Sequence, residues 1–140
     1  MATVSLFLAV IFFVLGGVHL YWATGKQWGL ATAIPTTTSG EKLLNPGPVD
    51  CVVVGVGLVA MGIFYVLLSG FIQHSFPEWI FNSVGWIIPI IFFIRAIGDF
   101  NYVGFFKRTK GTAFASADTR FFSPLCLVLA SAGFALQLGH

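Results

Sequence analysis

Four long apolar stretches, at residues 4–22, 51–71, 79–98 and 121–138, constrain this chain more than any other feature. Each runs for roughly 18–21 residues, and about 20 residues of α-helix cross the hydrocarbon core of a bilayer. Helix is the expected conformation. Its backbone hydrogen bonds close within the segment, and the runs lack the in–out alternation of a barrel strand. Charge agrees. Only 9% of the 140 residues are charged and 57% are hydrophobic, whereas soluble domains carry about 25% charged residues. The sequence therefore predicts an all-α integral membrane protein, a four-helix transmembrane bundle forming a single domain over residues 1–140. The first run has no Lys or Arg before it, unlike a secretory signal, and reads as a retained span.

The formal net charge is only +2, but its placement is uneven. The first loop, residues 23–50, holds Lys26 and Lys42. The third, residues 99–120, holds Lys107, Arg108, Lys110 and Arg120. The connector 72–78 and both termini hold neither Lys nor Arg. Loops one and three lie on one side of a four-span protein, and the positive-inside rule makes that side cytoplasmic. The expected setting is the cell inner membrane, with both termini outside. Four basic residues beside two spans are what orientation alone requires, so no nucleic-acid partner is read from them. Contact with membrane lipid is expected instead.

Tyr21, Trp22, Trp28, Trp79 and Tyr102 fall near the predicted interfaces, where amphipathic rings are at home. Pro89 interrupts the third span and removes a hydrogen bond to Gly85, so a kink is expected. Loop one contains Ile34-Pro35, the polar run Thr36-Thr37-Thr38-Ser39-Gly40, and Asn45-Pro46-Gly47-Pro48. These are turn signals, and Ile34, Leu43 and Leu44 provide apolar contacts for a small hairpin or cap. Loop three carries Phe105, Phe106 and Phe114 among its charges. Two longer loops capping one end, or two amphipathic segments lying on the membrane, both fit this pattern.

His19, Arg95 and Asp99 are ionisable groups at the ends of spans, and the topology brings all three to the loop-rich end. Charge within a bilayer costs on the order of 2.5–3.5 kcal/mol at a helix centre and less near the ends. Arg95 and Asp99, both in the last turn of the third span, are four residues apart, so they share one face and can pair. Two readings follow. The three groups either lock helices to loops, or they line a polar pocket for a lipid-like or small amphipathic ligand. In the pocket reading His19 and Asp99 are the catalytic candidates for proton exchange, while Arg95, Tyr21, Trp22 and Tyr102 bind the ligand. Whether a reaction occurs is left open.

Cys51, Gly55 and Gly62 recur at helical spacing in the second span, as do Cys126, Ala130, Gly133 and Gln137 in the fourth. Small residues allow close helix approach. A Cys51–Cys126 redox pair is a weaker reading, since no Cys-x-x-Cys is present and a cytoplasmic setting disfavours disulfides. His19 and His74 belong to opposite membrane faces and His140 is terminal, so no metal site and no cofactor is expected.

One resemblance rests on specific strings. They are His19-Leu20-Tyr21-Trp22 with Trp28-Gly29, then Asn45-Pro46-Gly47-Pro48. They continue with Arg95-Ala96-Ile97-Gly98-Asp99-Phe100-x-Tyr102-x-Gly104-Phe105-Phe106-Lys107, and with Asp118-Thr119-Arg120-Phe121-Phe122-Ser123-Pro124-Leu125-Cys126. Through these the chain resembles a bacterial family of small four-span membrane proteins of unknown function. The resemblance implies four spans and draws attention to the loop-rich end, but brings no reaction. Ligand binding is the leading expectation. An accessory subunit of a larger membrane complex and a small oligomeric transporter are the alternatives, and other membrane subunits or a second copy in a homodimer join lipid as the expected partners.

Overall fold

The computed structural model describes residues 1–139; His140 lies outside the described residues. Four helices are long and apolar enough to cross a membrane. They are α1 (Ala2–Ala23), α3 (Pro48–Leu68), α4 (Glu78–Ile97), and a composite fourth in which α5 (Ala113–Ala117) passes through a π-helical turn (Asp118–Phe122) into α6 (Ser123–Leu138). A single helical turn in loop one, α2 (Leu30–Ala33), completes the set. No strand forms among the described residues beyond one isolated bridge, Thr36 to Lys42. The chain is an all-helical, membrane-integral four-helix bundle.

Two differences from the sequence reading concern span ends. The second span stops at Leu68 rather than near residue 71, because Ser69 and Gly70 end it and Gly70 takes φ +75°. The fourth starts at Ala113 rather than near residue 121. Its extra turns enclose Asp118, which the charge pattern alone had placed in a loop.

The bundle is two tight hairpins set side by side. α1 packs along α3, and α4 along α6, while α1 meets α6 and α3 meets α4 more sparingly. Glycine explains the first pairing. A Cβ at Gly16 would approach the Gly55 carbonyl at 3.0 Å, and one at Gly55 would meet the Leu20 side chain at 2.9 Å. Backbones this close gain van der Waals contact, which drives helix association where lipid removes the hydrophobic incentive. The second hairpin uses the same device, with Pro89 against Gly133. Leu8, Phe12, Leu58, Tyr65, Ile88, Leu129 and Leu136 fill the centre, and Phe12 stacks on Tyr65 at 5.6 Å.

Outward faces are as apolar as the core. Val10, Val14, Val53, Val56, Ile87, Ile94 and Val128 are all exposed. A helix apolar on every side suits lipid around it.

The loop-rich end is ordered. Thr37 and Glu41 close a small turn in loop one through Thr37 N–H to the Glu41 carbonyl at 2.9 Å, and Leu43 N–H bonds the Pro35 carbonyl at 2.9 Å. Ile34 and Pro35 are buried beneath it. α2 packs against α5, so the two long loops meet over one end of the bundle.

Candidate functional site: a buried ion lock and a groove beside His19

Loop three is built on a sharp exit from α4. Gly98 takes φ +85° and ψ −167°, ending the helix, and its N–H bonds the Ile94 carbonyl. A Cβ at Gly98 would collide with the Val103 carbonyl, and one at Gly104 (φ +89°) with the Ile97 carbonyl. Two glycines therefore let the chain cross over itself. Asp99 fastens the crossing. Its Oδ1 accepts from the N–H groups of Asn101, Tyr102 and Val103 at 2.9, 2.8 and 2.9 Å. Partial desolvation pushes the Asp99 carboxyl up, but these backbone bonds outweigh it and hold the group below its ordinary value of 3.8.

This corrects the expected Arg95–Asp99 pairing. Four-residue spacing brings two side chains together only within a continuous helix, and α4 ends at Ile97. Asp99 sits on the loop, exposed, with one oxygen committed to three backbone groups.

Arg95 turns instead to Asp118, 23 residues on. Its Nη2 donates to Asp118 Oδ1 at 2.9 Å. Asp118 Oδ2 accepts from the Gly104 N–H at 2.8 Å and from Lys107 Nζ at 3.0 Å. Lys107 also donates to the Gly104 carbonyl at 2.9 Å and to Thr119 Oγ1 at 2.6 Å. Asp118 is 0% exposed and Lys107 6%. Charges this deep persist only when paired and hydrogen-bonded, and here both conditions are met. The cluster ties the end of α4, the crossing at Gly104 and the start of the fourth span to one carboxylate. Two cations face that one anion. Arg95 Nη1 and, one π-turn after Asp118, Ser123 Oγ are buried without a partner among the described residues.

His19 stands apart from this lock. One ring nitrogen, Nδ1, lies 2.8 Å from the Leu15 carbonyl, so a neutral His19 carries its proton there and offers Nε2 as an acceptor. The ring packs edge-on to Trp22 at 5.0 Å. Trp22 Nε1 in turn donates to the Trp28 carbonyl at 2.8 Å, tying α1 to loop one. His19 and Trp22 line an open groove of about 150 Å³ with Ile34, Pro35, Asp50 and Cys51. Arg95, Asp99, Tyr21 and Tyr102 are not among its lining residues. Tyr21 is exposed, with Lys26 Nζ 5.2 Å from its ring centroid. Tyr102 is half-buried and gives its backbone N–H to Asp99.

The structure therefore brings His19 and Trp22 together, and gives Arg95 and Asp99 separate work in loop three. Asp118 and Lys107 are the residues the sequence reading missed as partners. A signal existed: Asp118 is one of only two acids in residues 99–120, and four basic residues share that loop. Cys51 and Cys126 are both buried free thiols.

Fold and site together define a small membrane-integral four-helix protein with an ion-locked, loop-covered end. The chain belongs to the family described as protein of unknown function (DUF3995), which matches residues 12–133. No curated protein and no solved structure matches it.

Proposed function

We propose that this protein binds a small amphipathic, lipid-like molecule at its loop-rich end, in the groove beside His19. One observation carries the reading. An otherwise apolar groove includes His19, Asp50 and Cys51 in its lining. Binding sites commonly have this character, an apolar lining with a few placed polar groups. Asp50 Oδ2 caps α3 by accepting from the Gly47 N–H at 2.8 Å, and its other oxygen has no protein donor among the described residues. With His19 Nε2, that makes two acceptors, so the ligand chemistry that fits is an apolar body ending in a hydroxyl or another donor.

Arg95, Asp99 and Tyr102 support the site indirectly by holding loop three, whose α5 backs the α2 segment of loop one. In this reading loops 23–50 and 99–120 face the cytoplasm from the inner membrane, and both termini face out. Reporter fusions at the termini and in loop three test that orientation.

Native mass spectrometry of protein purified in mild detergent and supplied with membrane lipid extract tests the binding. A bound molecule is expected on the wild type and is expected to be lost in Ala33→Trp, which fills the groove from loop one. The same adduct on a folded Ala33→Trp variant, or no adduct on the wild type, rejects the proposal.

A further inference from the structure

The opposite end of the bundle holds a larger open pocket, about 480 Å³, that the ion lock and the His19 groove do not involve. It opens between the end of α3, the connector 69–77, the start of α4 and the end of α6. His74, Phe76, Glu78, Phe81, Asn82 and Gln137 provide its distinctive lining. From this arrangement we infer a second binding site, selective for an organic ammonium group carrying an apolar substituent.

Charge comes first. All seven Lys and Arg residues lie outside the lining: Lys26, Lys42, Arg95, Lys107, Arg108, Lys110 and Arg120. Glu78 makes neither of the two ion pairs found among the described residues. Its place in the first turn of α4 is favourable to the helix dipole, but a dipole leaves the carboxylate free to pair with a cation. An anionic ligand would meet Glu78 with no Lys or Arg in the lining to offset it.

The walls fit the rest of such a ligand. Phe81 and His74, both in the lining, stack at 4.3 Å between centroids, and Phe64 backs Phe81 from the core at 5.5 Å without lining the pocket. Phe76 tilts against His74 at 5.9 Å. Aromatic faces attract alkylammonium ions, and Leu67 and Leu68 add apolar surface. Asn82 and Gln137 supply carboxamide oxygens as further acceptors.

Gln137 shows that the polar lining is built in. A Cβ at Gly85 would collide with the Gln137 carboxamide. The α4 helix thus gives up a side chain at Gly85, and the room is taken by a polar group at a helix–helix contact where an apolar one would pack without needing partners. The volume falls within the roughly 300–1,000 Å³ of small-molecule sites.

The ammonium has two possible sources, a free amine or the head group of a zwitterionic phospholipid. Calorimetric titration of the purified full-length protein with benzyltrimethylammonium, against uncharged benzyl alcohol, reads the chemistry. The cation is expected to bind more tightly. Glu78→Gln is expected to weaken it about tenfold, the loss of roughly one charge-assisted contact, while Glu41→Gln in loop one leaves it unchanged. Repeating the titration in nanodiscs separates the sources. Loss of probe binding in phosphatidylethanolamine relative to phosphatidylglycerol assigns the site to a lipid head group, and equal binding in both assigns it to a free amine. No preference for the cation over benzyl alcohol, or an affinity in Glu78→Gln within twofold of wild type, overturns the inference.

Discussion

Replacing Asp118 with Asn removes one negative charge and changes one oxygen into an amide donor, with almost no change in shape. The structure sets the consequence. If the remaining oxygen faces Arg95, the new NH₂ meets the Gly104 N–H and the Lys107 ammonium; if it is flipped, it meets Arg95 Nη2. In either orientation donors face donors. Removing one partner from a buried ion pair costs about 3–5 kcal/mol. Two features place this case at the low end. Lys107 keeps the Gly104 carbonyl and Thr119 Oγ1, and the Arg95 side chain, 32% exposed, can turn partly toward water. The expected loss is about 3 kcal/mol, roughly a hundredfold in the folding equilibrium. Reversible unfolding in mixed micelles with increasing SDS, followed by tryptophan fluorescence, measures it. A second variant isolates the cause. Arg95→Met, Lys107→Met and Asp118→Leu together leave no uncompensated charge, and buried ion networks replaced by apolar residues are often neutral or stabilising. The triple variant is therefore expected to be more stable than Asp118→Asn alone. A loss below about 1 kcal/mol for Asp118→Asn, the range of an exposed pair, would refute the reasoning, as would a triple variant weaker than the single one.

The crossing in loop three gives two further outcomes. Gly98→Ala is expected to cost about 3 kcal/mol or more in the same unfolding assay, because strain at positive φ is joined by collision with the Val103 carbonyl. Asp99→Ala should speed hydrogen exchange at Asn101, Tyr102 and Val103, while Asp99→Asn, whose amide oxygen can still accept, should speed it less. The same amides report pH. The folded Asp99 value lies below 3.8, so its contribution is present above the unfolded value and is lost as pH falls below 3.8 through the folded one; exchange rates corrected for intrinsic pH dependence should rise only in that acid window. Between α1 and α3, Gly55→Val is expected to cost about 2 kcal/mol, since the Gly16 carbonyl it approaches at 3.2 Å is backbone and cannot step aside. Unfolding of this variant within about 0.5 kcal/mol of wild type would show that the first hairpin is looser than its glycines imply.

The spans were legible because a bilayer imposes a length and an apolar composition that a sequence shows directly. Gly16 and Gly55 are a subtler case. The spacing of Gly55 with Cys51 and Gly62 marks a packing face, but which helix fills it depends on tertiary structure. The loop-rich end was legible as a place and not as a set of partners. Arg95 and Asp99 satisfy the helical spacing rule, and the rule fails because Gly98, between them, leaves the helix. Asp118 was hidden by its neighbours. The basic and polar residues 107–120 mark a loop by composition, while the packing of Phe114 and Ala115, both buried, extends the fourth span back through them. The π-turn was not legible either, because its wider i→i+5 hydrogen bonding displaces side chains from the 3.6-residue period on which helix reading depends.

The lock also bears on how the His19 groove could work. Ile34 and Pro35 cover the groove from loop one, and α2, just before them, packs against α5. The next residue after α5 is Asp118. Loop one is therefore backed by the segment that the buried carboxylate fixes, although no residue of the lock lines the groove. A ligand under loop one would be retained by rigidity that originates in loop three. That separation is testable because the two sites can be damaged independently. Ala33→Trp should abolish the bound molecule with little loss of stability, since residue 33 is only half-buried in loop one. Asp118→Asn should lower stability by the amount derived above, and should weaken retention only to the extent that loop one loosens, which hydrogen exchange at Leu43, whose N–H bonds Pro35, reports directly. If retention fell in Asp118→Asn with no added exchange at Leu43, the carboxylate would be acting on the ligand itself, and the lock would belong to the binding site.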